Sequence, residues 1–413
     1  MAELARRLGV PDAVVIGLGS MLGAGVFVVF APAAAAAGGA GLLVALAVAG
    51  FIAFCNATSS ARLAARYPES GGTYVYGRER LHPFAGFLAG WGFVIGKTAS
   101  CAAMALTIGA YLWPGPARLV AVLAVLAVTA VNLRGIGKTV AATRVLVGVV
   151  LTVLAVVAVT GAPHVAADRL AGFADTGVRG VLTAAGLLFF AFAGYARIAT
   201  LGEEVRDPER TVPRAVPLAL GVVLAIYLVL AVVAVGVLGE QRLADSAAPL
   251  AEVVTAAGLP GLAWLVRAGA TVAVTGVLLS LLAGVGRTTL AMARRRDLPG
   301  ALAAVHPRYQ VPHRAELAVA AVVIVVVSLV DVRGAIGFSS CTVLVYYAIA
   351  NASALTLGRD PARKLPVQLL AALGLVGCLL LAVNLPVASV LSGFGVLALG
   401  AAWYALRYAA RRM

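Results

Sequence analysis

Apolar residues do not alternate with polar ones along most of this chain. They fill whole blocks, separated by short stretches rich in Arg, Gly and Pro. A helix that is apolar on every face is buried in a large core or in lipid, and about 20 such residues cross a bilayer. The blocks predict twelve spans, at approximately 12–35, 41–60, 84–112, 117–133, 142–161, 180–200, 215–238, 260–286, 315–331, 336–357, 366–383 and 387–408. No hydrophilic stretch is long enough for a separate soluble domain, so residues 1–413 read as one membrane domain.

Composition agrees: 62% of residues are hydrophobic, 12% are charged, and the mean hydropathy is +1.01. The net charge of +15 would suggest nucleic acid in a soluble protein. Here its placement has a simpler cause. With the termini inside, 23 Lys and Arg fall on cytoplasmic segments and 5 on outside loops. That asymmetry predicts an even number of spans with both termini in the cytoplasm, and no nucleic-acid partner is expected. Arg6 and Arg7 before an apolar run, with Ala33–Ala37 beyond it, have the outline of a signal peptide. The length of the run and the many spans after it weigh against cleavage. Cys55, Cys101, Cys341 and Cys378 lie apart in apolar segments, and the four histidines are scattered, so neither a disulfide framework nor a metal site is predicted. No nucleophile with a base partner and no phosphate loop is found, so an enzyme is not expected, nor any cofactor.

The first block carries IGLGSMLGAGVF at Ile16–Phe27, with four glycines in a segment that must span lipid. A second irregular stretch is FFAFAGY at Phe189–Tyr195. Non-helical backbone at membrane depth is tolerated where it is buried in protein or lines a wet cavity. Broken helices at corresponding places in two halves point to the binding site of a secondary transporter. Freed N–H groups at the start of the continuing half-helix suit a carboxylate, and freed carbonyls suit an ammonium group. Three other readings stand beside this one, one of them the loose packing of a chain rich in glycine and alanine. Gly19-x-x-x-Gly23 has the spacing of a helix-packing face. Gly17-x-Gly19 hints at a dinucleotide loop, but Leu22 occupies the third glycine's place and no βαβ context exists.

Five stretches carry a family resemblance. GSMLGAGVF (Gly19–Phe27) resembles the first-helix motif of the amino acid–polyamine–organocation (APC) permeases. YPESGGTYVY (Tyr67–Tyr76) and GFLAGW (Gly86–Trp91) resemble the loop after their second helix and the opening of their third. Phe189–Pro213 resembles their sixth helix and the segment after it, and RTTLAMARRRDLP (Arg287–Pro299) resembles the end of their eighth. The resemblance implies an all-α membrane protein of the leucine-transporter type. Two inverted five-helix repeats would cover about 12–161 and 180–357, with two extra helices at about 366–408 and helices 1 and 6 broken.

It also implies site residues. The N–H groups of Ala24 and Gly25 would hold a substrate carboxylate, with Gly23 allowing close approach. The amino group would meet carbonyls around Met21 and near Phe190 and Ala193, beside Gly194. Relatives often carry Ser or Thr where Ala24 stands; alanine loses the hydroxyl and keeps the N–H. Phe190 or Phe192 would cover the substrate. Ala24, Ala191 and Ala193 would leave room for a neutral side chain of medium size.

Lys97, within FVIGKTASCAAM, matches a pocket-lining position in arginine/agmatine-type relatives. A lysine at the bilayer centre costs about 2.5–3.5 kcal/mol on insertion scales, so it is expected to face the protein interior. Proton coupling, contact with a substrate side chain and a structural bond to carbonyls are its three readings. A positive pocket disfavours cationic substrates. The helix 5 lysine of some proton-coupled relatives is missing here, and Ala196 and Arg197 replace the acid that some exchangers carry after the helix 6 break. The sequence GVGRTT shows no buried hydroxyl pair for sodium. Glu203 and Glu204 are candidate inner-gate acids with Arg287 as a partner, against a plain solvated cluster. Tyr195, Tyr346 and Tyr347 are candidates to line the path, against the plainer reading of each as structural.

The expectation is a multi-pass transporter in the cytoplasmic membrane, surrounded by lipid, that takes up neutral amino acids with protons by alternating access. An exchanger or exporter is the alternative within transport. A non-transporting amino-acid receptor or accessory subunit is the alternative from another class.

Overall fold

The computed structural model describes residues 8–67, 71–135, 140–170, 177–199, 205–358 and 367–410. Among them the chain is all-helical, with one isolated backbone bridge between Leu8 and Val205 and no strand. Among the described residues nine helices are long and apolar enough to cross a membrane, and two of 17 residues, Ala117–Leu133 and Val367–Val383, are apolar but shorter.

The first block forms α1 (Val10–Met21), α2 (Ala24–Val28) and α3 (Phe30–Arg66). Pro11 suits the first turn, where its missing N–H costs nothing. The Asp12 carboxylate accepts from the Gly9 N–H at 3.3 Å and pairs with Arg144. Two expected spans, 12–35 and 41–60, meet inside α3 with a single non-helical residue between them. Gly38 adopts φ 76°, ψ −174°, a conformation that a side chain would strain.

The chain continues through α4 (Thr73–Arg80), α5 (Pro83–Leu112), α6 (Ala117–Leu133), α7 (Val140–Gly161), α8 (Gly177–Phe192) and α9 (Ala196–Ala199). Then come α10 (Pro208–Asp245), which starts earlier than the expected 215, the short α11 (Pro249–Ala256), α12 (Ala263–Arg294) and α13 (His313–Leu329). The last three are α14 (Val332–Leu355), α15 (Val367–Val383) and α16 (Val387–Ala410).

Lipid offers no hydrophobic drive for helices to associate, so small residues and polar pairs carry the contacts. Helix α3 packs on α10 and α8, and α14 packs on α5 and α15. Ser100 of α5 meets Ser339 of α14 at 2.6 Å, and the Asn351 side-chain N–H donates to Asn56 Oδ1 at 2.6 Å.

Asp297, just beyond α12, gathers one end of the bundle. Its Oδ2 accepts from Tyr74 Oη at 2.6 Å and from Arg78 Nη1 at 3.0 Å. Its Oδ1 lies 3.9 Å from Arg407 of α16, and its carbonyl accepts from Trp403 Nε1 at 3.1 Å. Burial, helped by the Asp297 carboxylate, pushes the Tyr74 phenol well above its usual range. Tyr74 therefore keeps its proton and remains a donor at any physiological pH.

Candidate functional site

The first break is real. Helix α1 stops at Met21; Leu22 (φ −78°, ψ 46°) and Gly23 (φ −105°, ψ −141°) leave the helical region, and α2 starts at Ala24 without a side-chain cap. The second lies later than expected. Helix α8 runs unbroken through Phe189–Phe192, and the backbone tightens to a 3₁₀ turn only at Ala193–Tyr195 before α9 resumes. Apolar phenylalanines do not open a helix; the change begins beside Gly194, where the sequence first offers a residue without a side chain.

The two irregular segments face each other. A Cβ on Gly194 would lie 2.6 Å from the Ser20 carbonyl carbon and 2.9 Å from the Met21 nitrogen. A Cβ on Gly25 would lie 2.5 Å from Ala191 Cα and Cβ. Ala191 is thus spent on packing rather than on pocket space. Gly23 abuts Val277 of α12, and Gly19 abuts Thr143 and Val147 of α7. The break reading and the packing reading of the GxxxG spacing therefore both apply: Gly23 leaves the helix and admits Val277, while Gly19 stays helical and only packs.

Met21, Gly23, Ala24, Gly25, Phe190, Phe192 and Ala193 are all buried, and Gly194 is half-buried. The Phe192 ring packs on Tyr227 at 5.2 Å, and the Phe189 ring packs on Tyr347 at 5.6 Å. No ring contact to Phe190 is recorded among the described residues, which leaves it the freer of the two candidate covers.

The freed carbonyls meet two tyrosines, Tyr347, which the sequence singles out, and Tyr227, which it does not. Tyr227 of α10 reaches both breaks: its hydroxyl lies 2.6 Å from the Met21 carbonyl and 3.1 Å from that of Ala191. Tyr347 of α14 donates to the Ala193 carbonyl at 3.3 Å. Tyr227 has one proton for two acceptors, so the junction keeps spare acceptor capacity for a ligand N–H. Tyr227→Phe keeps the ring and removes that tie. Losing one hydrogen bond costs about 0.5–1.5 kcal/mol. The expected result is an uptake KM raised roughly threefold to tenfold, measured against wild type at matched protein density. An unchanged KM would show that the ring alone suffices.

Lys97 is 7% exposed on α5, and no hydrogen bond or ion pair to it is recorded among the described residues. Lys97 therefore lies inside the protein rather than against lipid. Arg287 is exposed on α12, while Glu203 and Glu204 lie outside the described residues.

Comparison with known proteins decides the family. The profile described as amino acid permease matches residues 12–359. This chain belongs to that family. The permease is 63% identical over 407 residues to an uncharacterised transporter of Mycobacterium tuberculosis, covering 98% of this chain and 92% of that one. It is 28% identical over 334 residues to a methylthioribose transporter of Bacillus subtilis, covering 76% of this chain and 72% of that one. To a branched-chain amino acid permease of the same organism it is 28% identical over 339 residues, covering 75% and 72%. The permease is therefore a multi-pass membrane transporter, and its family's work is transport rather than catalysis.

Proposed function

We propose that this permease takes up neutral amino acids across the cytoplasmic membrane, coupled to protons, by alternating access. The observation that carries the reading is the junction of the two breaks: Gly194 against Ser20 and Met21, Gly25 against Ala191, and Tyr227 touching both segments. In this reading the N–H groups of Ala24 and Gly25 take the carboxylate beside Gly23. Carbonyls of Met21 and Ala193 take the amino group, and Phe190 or Phe192 covers the substrate. Twelve spans, two inverted repeats plus two helices, and cytoplasmic termini complete the proposal. The single-residue reversal at Gly38, which splits one long helix into two spans, supports the count.

In this reading Lys97 lines the path, where a positive charge disfavours cationic substrates, and it is the proposed coupling group. Arg287, with Glu203 or Glu204, is the proposed inner gate. The names of the two Bacillus relatives differ in solute at equal identity, so the amino-acid assignment leans on the junction's match to an ammonium and a carboxylate.

Purified protein in liposomes, given a panel of labelled amino acids, tests this. An inward proton gradient is expected to drive net uptake of neutral amino acids, and Lys97→Ala to abolish the gradient's effect. Flux seen only against preloaded internal amino acid and indifferent to the gradient would identify an exchanger. Binding without flux would identify a receptor or accessory subunit.

A further inference from the structure

Outside this junction, one acid stands apart. Glu316 sits in the first turn of α13, where a carboxylate ordinarily reads as a solvated charge at a helix N-terminus. Instead it is 2% exposed, and its buried Oε2 has no hydrogen-bond partner among the described residues. Its side chain lies against Gly286 of α12, where a Cβ would come within 2.7 Å of the Glu316 methylene. The Nδ1 of His313, three residues earlier on the same helix, is also buried and without a partner among the described residues. Residues three apart share a helix face. The His313 ring meets that of His306 edge-on at 5.5 Å.

We infer that Glu316 is a proton-binding site at the α12–α13 junction, reached through His313 and separate from Lys97. An ionised carboxylate without a donor is not stable in such a place, whereas the neutral acid is. His313 supplies the transfer group, since its buried, unpartnered Nδ1 lies on the same helix face as Glu316. The proton passes from the His313 imidazolium to a Glu316 oxygen, leaving neutral imidazole and neutral acid.

The groups around the site define what deprotonation would do. Helix α13 packs on α5, α6, α12 and the turn at Gly300–Ala303. Helix α12 contributes Arg287, the charge that acts on the carboxyl, with no ion pair within 4.0 Å recorded between them. The loop before α13 contributes His306, and α13 itself contributes His313 and Arg314. Helix α5 contributes Lys97, and α6 carries Arg118 at one end with Arg134 following the other, none with a recorded contact to Glu316. The turn at Gly300–Ala303 has no ionisable side chain. Loss of the proton therefore draws Arg287, exposed and one residue from Gly286, onto the carboxylate. The proton decides whether α12 and α13 are joined by an ion pair. Arg287 then answers to Glu316, not only to the acids after helix 6.

As the route of the coupling proton this rests on the proton-coupled reading; as a protonation site it does not. Infrared difference spectra of the lipid-embedded protein separate the two. A protonated-carboxyl C=O band is expected at neutral pH, lost on alkaline titration and absent in Glu316→Gln. In Glu316→Asp the band is expected at a shifted frequency, and in Arg287→Gln its loss is expected to move to higher pH. The same Glu316→Gln protein in liposomes is expected to lose gradient-stimulated uptake and keep exchange. A spectrum unchanged by Glu316→Gln overturns the site, whatever transport shows. A band that obeys these substitutions in a protein whose flux ignores the gradient upholds the site and overturns the coupling reading.

Discussion

Gly194→Ala is expected to cut the uptake rate at least about tenfold, because the added methyl would strike backbone rather than a yielding side chain. Its new carbon would sit 2.6 Å from the Ser20 carbonyl carbon and 2.9 Å from the Met21 nitrogen, closer still to the Ser20 oxygen. Both belong to the end of α1, so room can be made only by prising the two breaks apart. Overpacking costs about 1–3 kcal/mol, and clashes with fixed backbone belong at the upper end. Gly221→Ala and Gly284→Ala are the controls: both glycines lie in helices, and an added Cβ meets nothing within 4 Å. Those two are expected to transport normally and to be slightly more stable, since alanine outperforms glycine in a helix. The comparison is initial uptake per mole of reconstituted protein. A Gly194→Ala protein as active as the controls would sink the idea that the breaks must touch.

The second large effect concerns Asp297. Its side chain is 7% exposed and holds Tyr74, Arg78 and, at longer range, Arg407. Asp297→Ala strands the partly buried Arg78 and the Tyr74 hydroxyl. Removing one member of a buried pair costs about 3–5 kcal/mol, and the 23% exposure of Arg78 places this case near the lower figure. Tyr74→Phe removes a single hydrogen bond and costs about 1 kcal/mol. Apparent melting of detergent-purified protein is expected to fall much further for Asp297→Ala than for Tyr74→Phe. Equal melting temperatures would mean that the carboxylate does not organise this end of the bundle.

How far the sequence discloses this molecule varies by element. The helices are legible because lipid demands long apolar blocks. The first break is legible because four glycines in twelve residues are more than a plain span carries, though the same spacing also serves packing. The helix 6 break is bracketed too widely from sequence, since a run of aromatic residues looks irregular yet continues a helix, and only the end of the stretch around Gly194 turns. Lys97 is legible as buried because everything around it is apolar. Tyr227 is not legible at all: it is one tyrosine among aliphatic residues, and its partners lie 206 and 36 residues away. Glu316 and Asp297 mislead in the same way. Each sits where an acid normally faces water, and only packing shows that neither does.

The reversal at Gly38 has a mechanical meaning. With one residue out of helical conformation, the segment after the first break and the helix that follows share an elbow with no slack. A tilt imposed on one arm must be carried by the other, like two sides of a bent rod. The segment before the break has no such tether, because Leu22 and Gly23 separate it from the elbow. Spin labels on either side of Gly38 should therefore keep their separation through a transport cycle, while labels on either side of Gly23 change theirs.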